Sequence, residues 1–329
     1  MTLFRLNQIR HLKIKGTLII LCLLSYNSMA QEGWYPQRLR TQAHTLRSIA
    51  AIDQNNAVAV GYLGTILKTT NGGTSWWPKP FDNNSITDLR KILFINDSTG
   101  WVAGEYGEIH KTTDRGETWE RVHKNILSDL YGLYFMNPDT GWAVGSKSGD
   151  GLIMKTTDGG GHWDSRTFDQ TTNLCDIQFV DEKTGWTVGN WGIIMKTTDA
   201  GETWLVQKSG TLTNINSLYF INESVGYAIG GLGTILKTFN GGKIWVTQVS
   251  GTSEFLLSLY FIDKWTGWIV GDMGTLLFTY DGGTQWIPQN INTRTRLFSI
   301  TFASPTTGWI VGRNGTIFRT ITAGKPFLE

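Results

Sequence analysis

The sequence predicts an all-β chain, a seven-bladed β-propeller of four-stranded blades whose ring is closed by an N-terminal strand completing the last blade. Three observations predict it. An apolar pattern recurs seven times, at LRSIAA (46), LRKILF (89), LYGLYF (130), LCDIQF (174), INSLYF (215), LLSLYF (256) and LFSITF (297), with successive starts 41–44 residues apart. Each unit reads as four short apolar, β-branched runs punctuated by Gly and Asp/Asn turns, with no sustained helical period. The seventh unit stops before a fourth run, and the N-terminus carries a spare one.

Taken in chain order, residues 1–30 read as a secretory signal. Arg5, Arg10, Lys13 and Lys15 precede the apolar run Leu18–Leu24, and Ser28-Met29-Ala30 places small residues before Gln31. The run is shorter than the roughly 20 residues that span a bilayer, and Leu21 ahead of Cys22 is a poor lipoprotein site. Export to the periplasm, the cell surface or the medium is expected. The chain has 29 basic and 27 acidic residues, and removing the leader's four basic ones leaves 25 against 27. That balance offers nothing to nucleic acid or to an anionic membrane surface. Cys175 is then the remaining cysteine, read as a small buried hydrophobe, and residues 31–329 form a single propeller domain without a disulfide.

Within each unit a Gly-aromatic segment follows the first run: GWVAG (100), GWAVG (141), GWTVG (185), GYAIG (226), GWIVG (267) and GWIVG (308), with the weaker NAVAVG at 56. A third run such as GTILKTT (64–70) leads into a box such as TTDAGETW (197–204). Six boxes end at Trp76, Trp119, Trp163, Trp204, Trp245 and Trp286, and their capping position holds Asn71, Asp114, Asp158, Asp199, Asn240 and Asp281. Asp and Asn both accept a hydrogen bond from backbone N–H groups two residues on, so either caps a turn, whereas they do not interchange as acids or nucleophiles. The boxes therefore read as structural rivets. The last unit reaches its box position at ITAGKPF (321–327), and GWYPQ (33–37) matches QWIPQ (285–289), so residues 33–43 supply the missing outer strand.

The box S/T-x-D-x-G-x-x-W resembles the Asp-box of sialidases, sortilin-like receptors and related propellers. The fuller pattern, GW-x-x-G followed by I-x-K-T-T-D-G-G-x-x-W, more closely resembles the plant and cyanobacterial photosystem II stability/assembly factor family and its bacterial relatives, over residues 34–327. The resemblance implies a non-enzymatic propeller that binds other proteins, as an assembly factor or scaffold. It also implies an arginine patch on one face of the ring.

Successive turns of a blade alternate between the two ends of the ring, so the boxes share one end with the first-to-second turns. The second-to-third turns and the blade connections share the other end, where the residues vary: Tyr62-Leu63, Glu105-Tyr106, Asn190-Trp191, Gly231-Leu232, Asp272-Met273, Arg313-Asn314, and a longer SKSGD (146–150) in blade 3. Twelve of the 15 tryptophans occupy repeat positions, and Trp191 is an exception that falls on this face, as an interface anchor would. Arg47, Arg90, Arg294, Arg296 and Arg313 gather at the same end, on blades seven, one and two, a set of forks suited to carboxylates or phosphates. Arg47 shares strand parity with Ile49, which would bury its stem.

The candidate partner-binding face is thus Arg47, Arg90, Arg294, Arg296, Arg313, Tyr62, Tyr106 and Trp191. The expected partner is a protein, in assembling or stabilising an envelope or membrane complex, and the chain is expected to be a monomer. Glycan binding through Tyr62, Tyr106 and Trp191, or sialidase-like glycoside hydrolysis, is the alternative. A sialidase needs an arginine triad, a Tyr/Glu nucleophile pair, an Asp acid/base and an early F/Y-R-I-P segment, for which PQRLR (36–40) is the nearest text. Glu105 and Tyr106 are neighbours in one turn. His44, His110, His123 and His162 lack metal-ligand spacing, and no P-loop, GxSxG or HExxH occurs, so no catalytic residue, metal or cofactor is expected.

Overall fold

The computed structural model describes residues 33–39, 44–81, 87–125, 127–169 and 173–324. The expected leader, residues 40–43 of the expected closing segment and the end of the chain from 325 lie outside them. Seven four-stranded antiparallel sheets make the blades. Their innermost strands are Leu46–Ala51, Leu89–Phe94, Ser128–Phe135, Leu174–Phe179, Ile215–Phe220, Leu256–Phe261 and Leu297–Phe302. Six blades use four consecutive strands. The seventh takes its outermost strand, Tyr35–Pro36, from the N-terminus, with Tyr35 opposite Arg319 and the Gln37 N–H donating to the Ile317 carbonyl at 2.8 Å. Trp34 also stands edge-on to Phe302, 5.7 Å between centroids, where every other box tryptophan beyond blade 1 meets its own blade's phenylalanine, as Trp286 meets Phe261. The N-terminus thus supplies the seventh blade with both a strand and its missing tryptophan.

The core lies between blades, in seven layers. In blades 2 to 5 the aromatic of the Gly-aromatic segment stacks on the phenylalanine ending the next blade's first strand: Trp101 on Phe135 (3.7 Å), Trp142 on Phe179 (3.8 Å), Trp186 on Phe220 (3.6 Å) and Tyr227 on Phe261 (4.4 Å). These aromatics are fully buried. A side-chain donor on the same residue then reaches the next blade's box: Trp101 Nε1 donates to the Gly159 carbonyl, Trp186 Nε1 to Gly241 and the Tyr227 hydroxyl to Gly282. Blades 2 to 3, 4 to 5 and 5 to 6 are therefore latched aromatic-to-box, whereas among the described residues Trp142, Trp268 and Trp309 are held by ring packing without such a bond. The second Gly of each Gly-aromatic segment is demanded by close approach: a Cβ on Gly145 would lie 1.8 Å from the Asp129 carbonyl oxygen.

Along the channel the first strands have a free edge, and side chains of the neighbouring blade cap it. The Ile49 N–H donates to Ser299 Oγ, Ile92 to Ser48, Ile300 to Ser258, and Leu218 to Asp176 Oδ2. Blade 3 has Gly132 at the capping position, and across it Lys91 Nζ reaches the buried Asp176 carboxylate at 3.0 Å. Replacing Lys91 with Met removes that partner, and we expect a loss of about 1–3 kcal/mol in urea unfolding; an unchanged midpoint would show that the ion pair contributes nothing.

In blade 3 the expected loop SKSGD is instead a tight hairpin. The strands Gly141–Lys147 and Asp150–Thr156 run to the tip, and Ser148 and Gly149 both adopt positive φ, the backbone of a two-residue turn that matches strand twist.

Candidate functional site

The two ends of the ring differ in what holds them. At one end each box is bonded to its own blade's first-to-second turn, as in Gly72 N–H to the Asn55 carbonyl, Ala200 to Lys183 and Gly282 to Trp265. Inside the box the Thr hydroxyl donates to the capping Oδ1, from Thr69–Asn71 at 3.0 Å to Thr197–Asp199 at 2.7 Å, and accepts from the Gly N–H four residues on. The capping Oδ1 accepts the N–H four residues on, Ser75 onto Asn71, Thr203 onto Asp199, Ile244 onto Asn240. The expected span of two residues is corrected to four, because the box is a full irregular turn. Toward the backbone the capping Oδ1 acts only as an acceptor, which an amide oxygen supplies as well as a carboxylate, and Asn71 adds a donation from its amide nitrogen to Ser75 Oγ at 3.1 Å.

Hydrogen bonds from Thr203, side chain and backbone, hold the Asp199 carboxyl down at about 2, and the His162 N–H lowers Asp158. A depressed carboxyl stabilises the fold above the unfolded-chain value near 4 and loses that contribution as pH falls toward 2. We therefore expect the chain to weaken between about pH 4 and pH 2, and the Asp158→Asn, Asp199→Asn double variant to weaken less over the same window. Equal losses in urea titrations at both pH values would contradict this.

At the other end lie the second-to-third turns. Six are single 3₁₀ turns, each tied to the residue before its own first strand: Tyr62 N–H to the Thr45 carbonyl, Glu105 to Asp88, Asn190 to Asn173, Gly231 to Asn214, Asp272 to Phe255 and Arg313 to Arg296. The first strands reach this end with a bulge at their second residue in every blade but the third, where the register slips at the corresponding Tyr131. The bulge cancels the expected parity of Arg47 with Ile49. A bulged residue is unpaired and re-aimed, so Arg47 lies half-buried between the rings of Tyr62 (4.8 Å) and Phe298 (4.6 Å), and donates to the Tyr62 hydroxyl at 2.7 Å. Burial lowers its pKa. Arg90, the corresponding residue of blade 2, lies over Tyr131 and pairs with Glu105 at 2.5 Å. Burial opposes its charge, but Tyr131, Glu105 and Asp129 together raise it. Cys175 occupies this position in blade 4, half-buried rather than fully buried, and burial pushes its thiol up to about 12, out of range as a nucleophile.

The remaining arginines converge. Arg294, Arg296 and Arg313 line one depression of about 540 Å³ between blades 6 and 7, together with Asp272, Met273, Thr295 and Asn314. Arg296 makes a two-pronged contact with Asp272, which raises its pKa, and its guanidinium lies over Phe298, the ring that also carries Arg47. Among the described residues Arg294 and Arg313 are in no ion pair. The five arginines thus divide: Arg47 and Arg90 are engaged by aromatic rings and acids near the channel mouth, Arg296 is neutralised, and Arg294 and Arg313 are exposed with free charge. Tyr62 serves Arg47. Tyr106 and Trp191 protrude from their turns, Trp191 on blade 4, two blades from the blade-6 side of the depression. Sequence reasoning placed Asp272 on this end without its pairing to Arg296 and missed Phe298, the residues that distinguish one arginine from the next. No group of three or more metal-ligating side chains occurs among the described residues.

Comparison with known proteins agrees with the fold. Solved structures superpose over 88% of the chain: YCF48 bound to a D1 peptide (21% identity, 97% of that chain, TM-score 0.72), YCF48 from Cyanidioschyzon merolae (20%, 98%, 0.73) and the WD40 repeats of RRP9 (11%, 97%, 0.74). At these identities the likeness is one of fold. No curated protein sequence matches. The family profile described as photosynthesis system II assembly factor YCF48 matches residues 26–127, 124–212, 168–250, 206–286 and 247–328, nearly the whole ring, and the chain belongs to that family.

Proposed function

We propose that this chain is an exported, non-enzymatic propeller that holds a segment of a protein partner on its turn end, as an assembly or stability factor for an envelope or membrane complex. The observation that carries the reading is the depression between blades 6 and 7, where three guanidinium groups meet one carboxylate and two of them are left with free charge. Exposed forks of this kind take carboxylates or phosphates in two-pronged fashion. Family membership supports the role in assembly, and a YCF48 structure that holds a D1 peptide supports a polypeptide as ligand. Export rests on the basic and apolar pattern of the first thirty residues.

The test is affinity capture from native envelope extract with the wild type and with an Arg294→Gln, Arg313→Gln variant of equal unfolding midpoint. A partner retained by the first and lost from the second is expected. Hydrolysis of a sialoside or glycoside panel at enzyme-like rates would overturn the non-enzymatic reading. Glycan-array binding lost on Trp191→Ala would replace the protein partner with a sugar, which the exposed indole suits.

A further inference from the structure

The six 3₁₀ turns share an unusual backbone. Their middle residue adopts the left-handed conformation, φ between 52° and 58°, at Leu63, Tyr106, Trp191, Leu232, Met273 and Asn314. Asn and Gly accept that conformation readily, whereas a bulky apolar side chain is an outlier there. Only Asn314 is of the tolerant kind. The other five are large, and they protrude: Trp191 and Leu232 are each 67% exposed and Met273 54%. Neither backbone preference nor packing accounts for apolar residues at these tips.

Three of the five lie on consecutive blades and lead to the arginines. The Trp191 N–H donates to Asn214 Oδ1, and the Asn214 carbonyl accepts the N–H of Gly231, next to Leu232. The ring of Phe255, itself exposed, lies 3.3 Å from where a Cβ on Gly231 would be, and its carbonyl accepts the Asp272 N–H. Met273 then lines the depression with Arg294 and Arg313. An apolar arc over blades 4 to 6 therefore runs into a cationic depression. The turns that carry it are pinned by these hydrogen bonds, so the surface is preorganised.

We propose that arc and depression form one docking surface for a polypeptide segment that presents large apolar side chains together with an acidic side chain. The carboxylate would meet Arg294 and Arg313, and the apolar groups would cover Met273, Phe255 and Leu232. The occupant follows from charge complementarity at one end of the arc and apolar complementarity along it. This rests on the reading that the turn end binds a protein, and it adds the partner's chemistry.

The test is selection from a random 12-residue phage-displayed peptide library on the intact chain, followed by affinity measurement of the selected peptides. Peptides combining aromatic or aliphatic residues with Asp or Glu are expected. Leu232→Asn with Met273→Asn should weaken them at least tenfold while the unfolding midpoint stays level or rises, since Asn suits the left-handed turn. A purely structural role for these tips predicts no change in binding. Selected peptides that are acidic without apolar enrichment, or that lose binding with Arg294→Gln and Arg313→Gln but not with the Asn variant, would overturn this inference and leave the arginine site standing. Selected peptides indifferent to both variants, or none selected, would overturn both.

Discussion

Replacing Trp186 with Ala should cost the fold about 3–5 kcal/mol, among the largest losses any single substitution can produce here. Three contributions add at this side chain. The indole is fully buried, and a buried Trp removes roughly 150–250 Å² from water, about 4–6 kcal/mol at 25 cal/mol per Å² as an upper bound. It stacks on Phe220 at 3.6 Å, and its N–H is the donor that reaches the Gly241 carbonyl in the next blade's box. Lys196 also crosses its face at 4.7 Å on the way to the same carbonyl. One substitution therefore opens a cavity, unstacks a ring and undoes a latch between blades 4 and 5. Trp204 offers the contrast: it belongs to its own blade's box and is only partly buried, so Trp204→Ala should cost less. Urea unfolding of both variants decides. Equal losses would mean that the latch between blades adds nothing to the rivet within one.

Reversing the charge at Arg294 and Arg313 together, to Glu, should weaken partner binding by a hundredfold or more without moving the unfolding midpoint. Each charge-assisted hydrogen bond to a carboxylate contributes about 1.5–3 kcal/mol, and like charges facing each other add repulsion. Among the described residues neither guanidinium is in an ion pair, so no ion pair of the fold is lost. Arg90→Glu should behave oppositely. Its guanidinium is half-buried against Glu105, Asp129 and Tyr131, and reversing it places three acids together. It should destabilise the chain whatever it does to binding. The pair of experiments separates arginines that hold the ring from arginines that present charge, and binding through the charge-presenting Arg294 and Arg313 should fall with added salt.

The repeat made the blade count, the strand order and the ring closure legible in the amino-acid sequence, because each blade is a local unit whose four strands follow one another. The boxes were legible for the same reason: the hydrogen bonds that shape the turn itself run within eight residues, and Asp and Asn at one position already exclude acid chemistry. What stayed hidden lies between blades. Trp101 reads as a core residue, but nothing in the spacing says that it stacks on Phe135 and donates to Gly159 of the following blade. The bulge after the Leu or Ile at the turn end of each first strand is also silent in an apolar pattern, and it turned Arg47 from a buried stem into a residue held between two rings. The arginine sector was legible as a gathering of like residues. Which of them keep free charge was not, because Asp272, from the neighbouring blade, makes that choice.

The central claim is that the two ends of the ring are divided, boxes holding the fold at one and turns meeting a partner at the other. Photo-crosslinking tests it most directly. A benzophenone amino acid placed at Asn314 on the turn end, or at Thr203 in a box, samples the two ends from exposed positions in the same chain. In native extract the account predicts a discrete crosslinked partner from position 314 and none from position 203. A partner captured from 203 and not from 314 would contradict it, and would place function on the boxes.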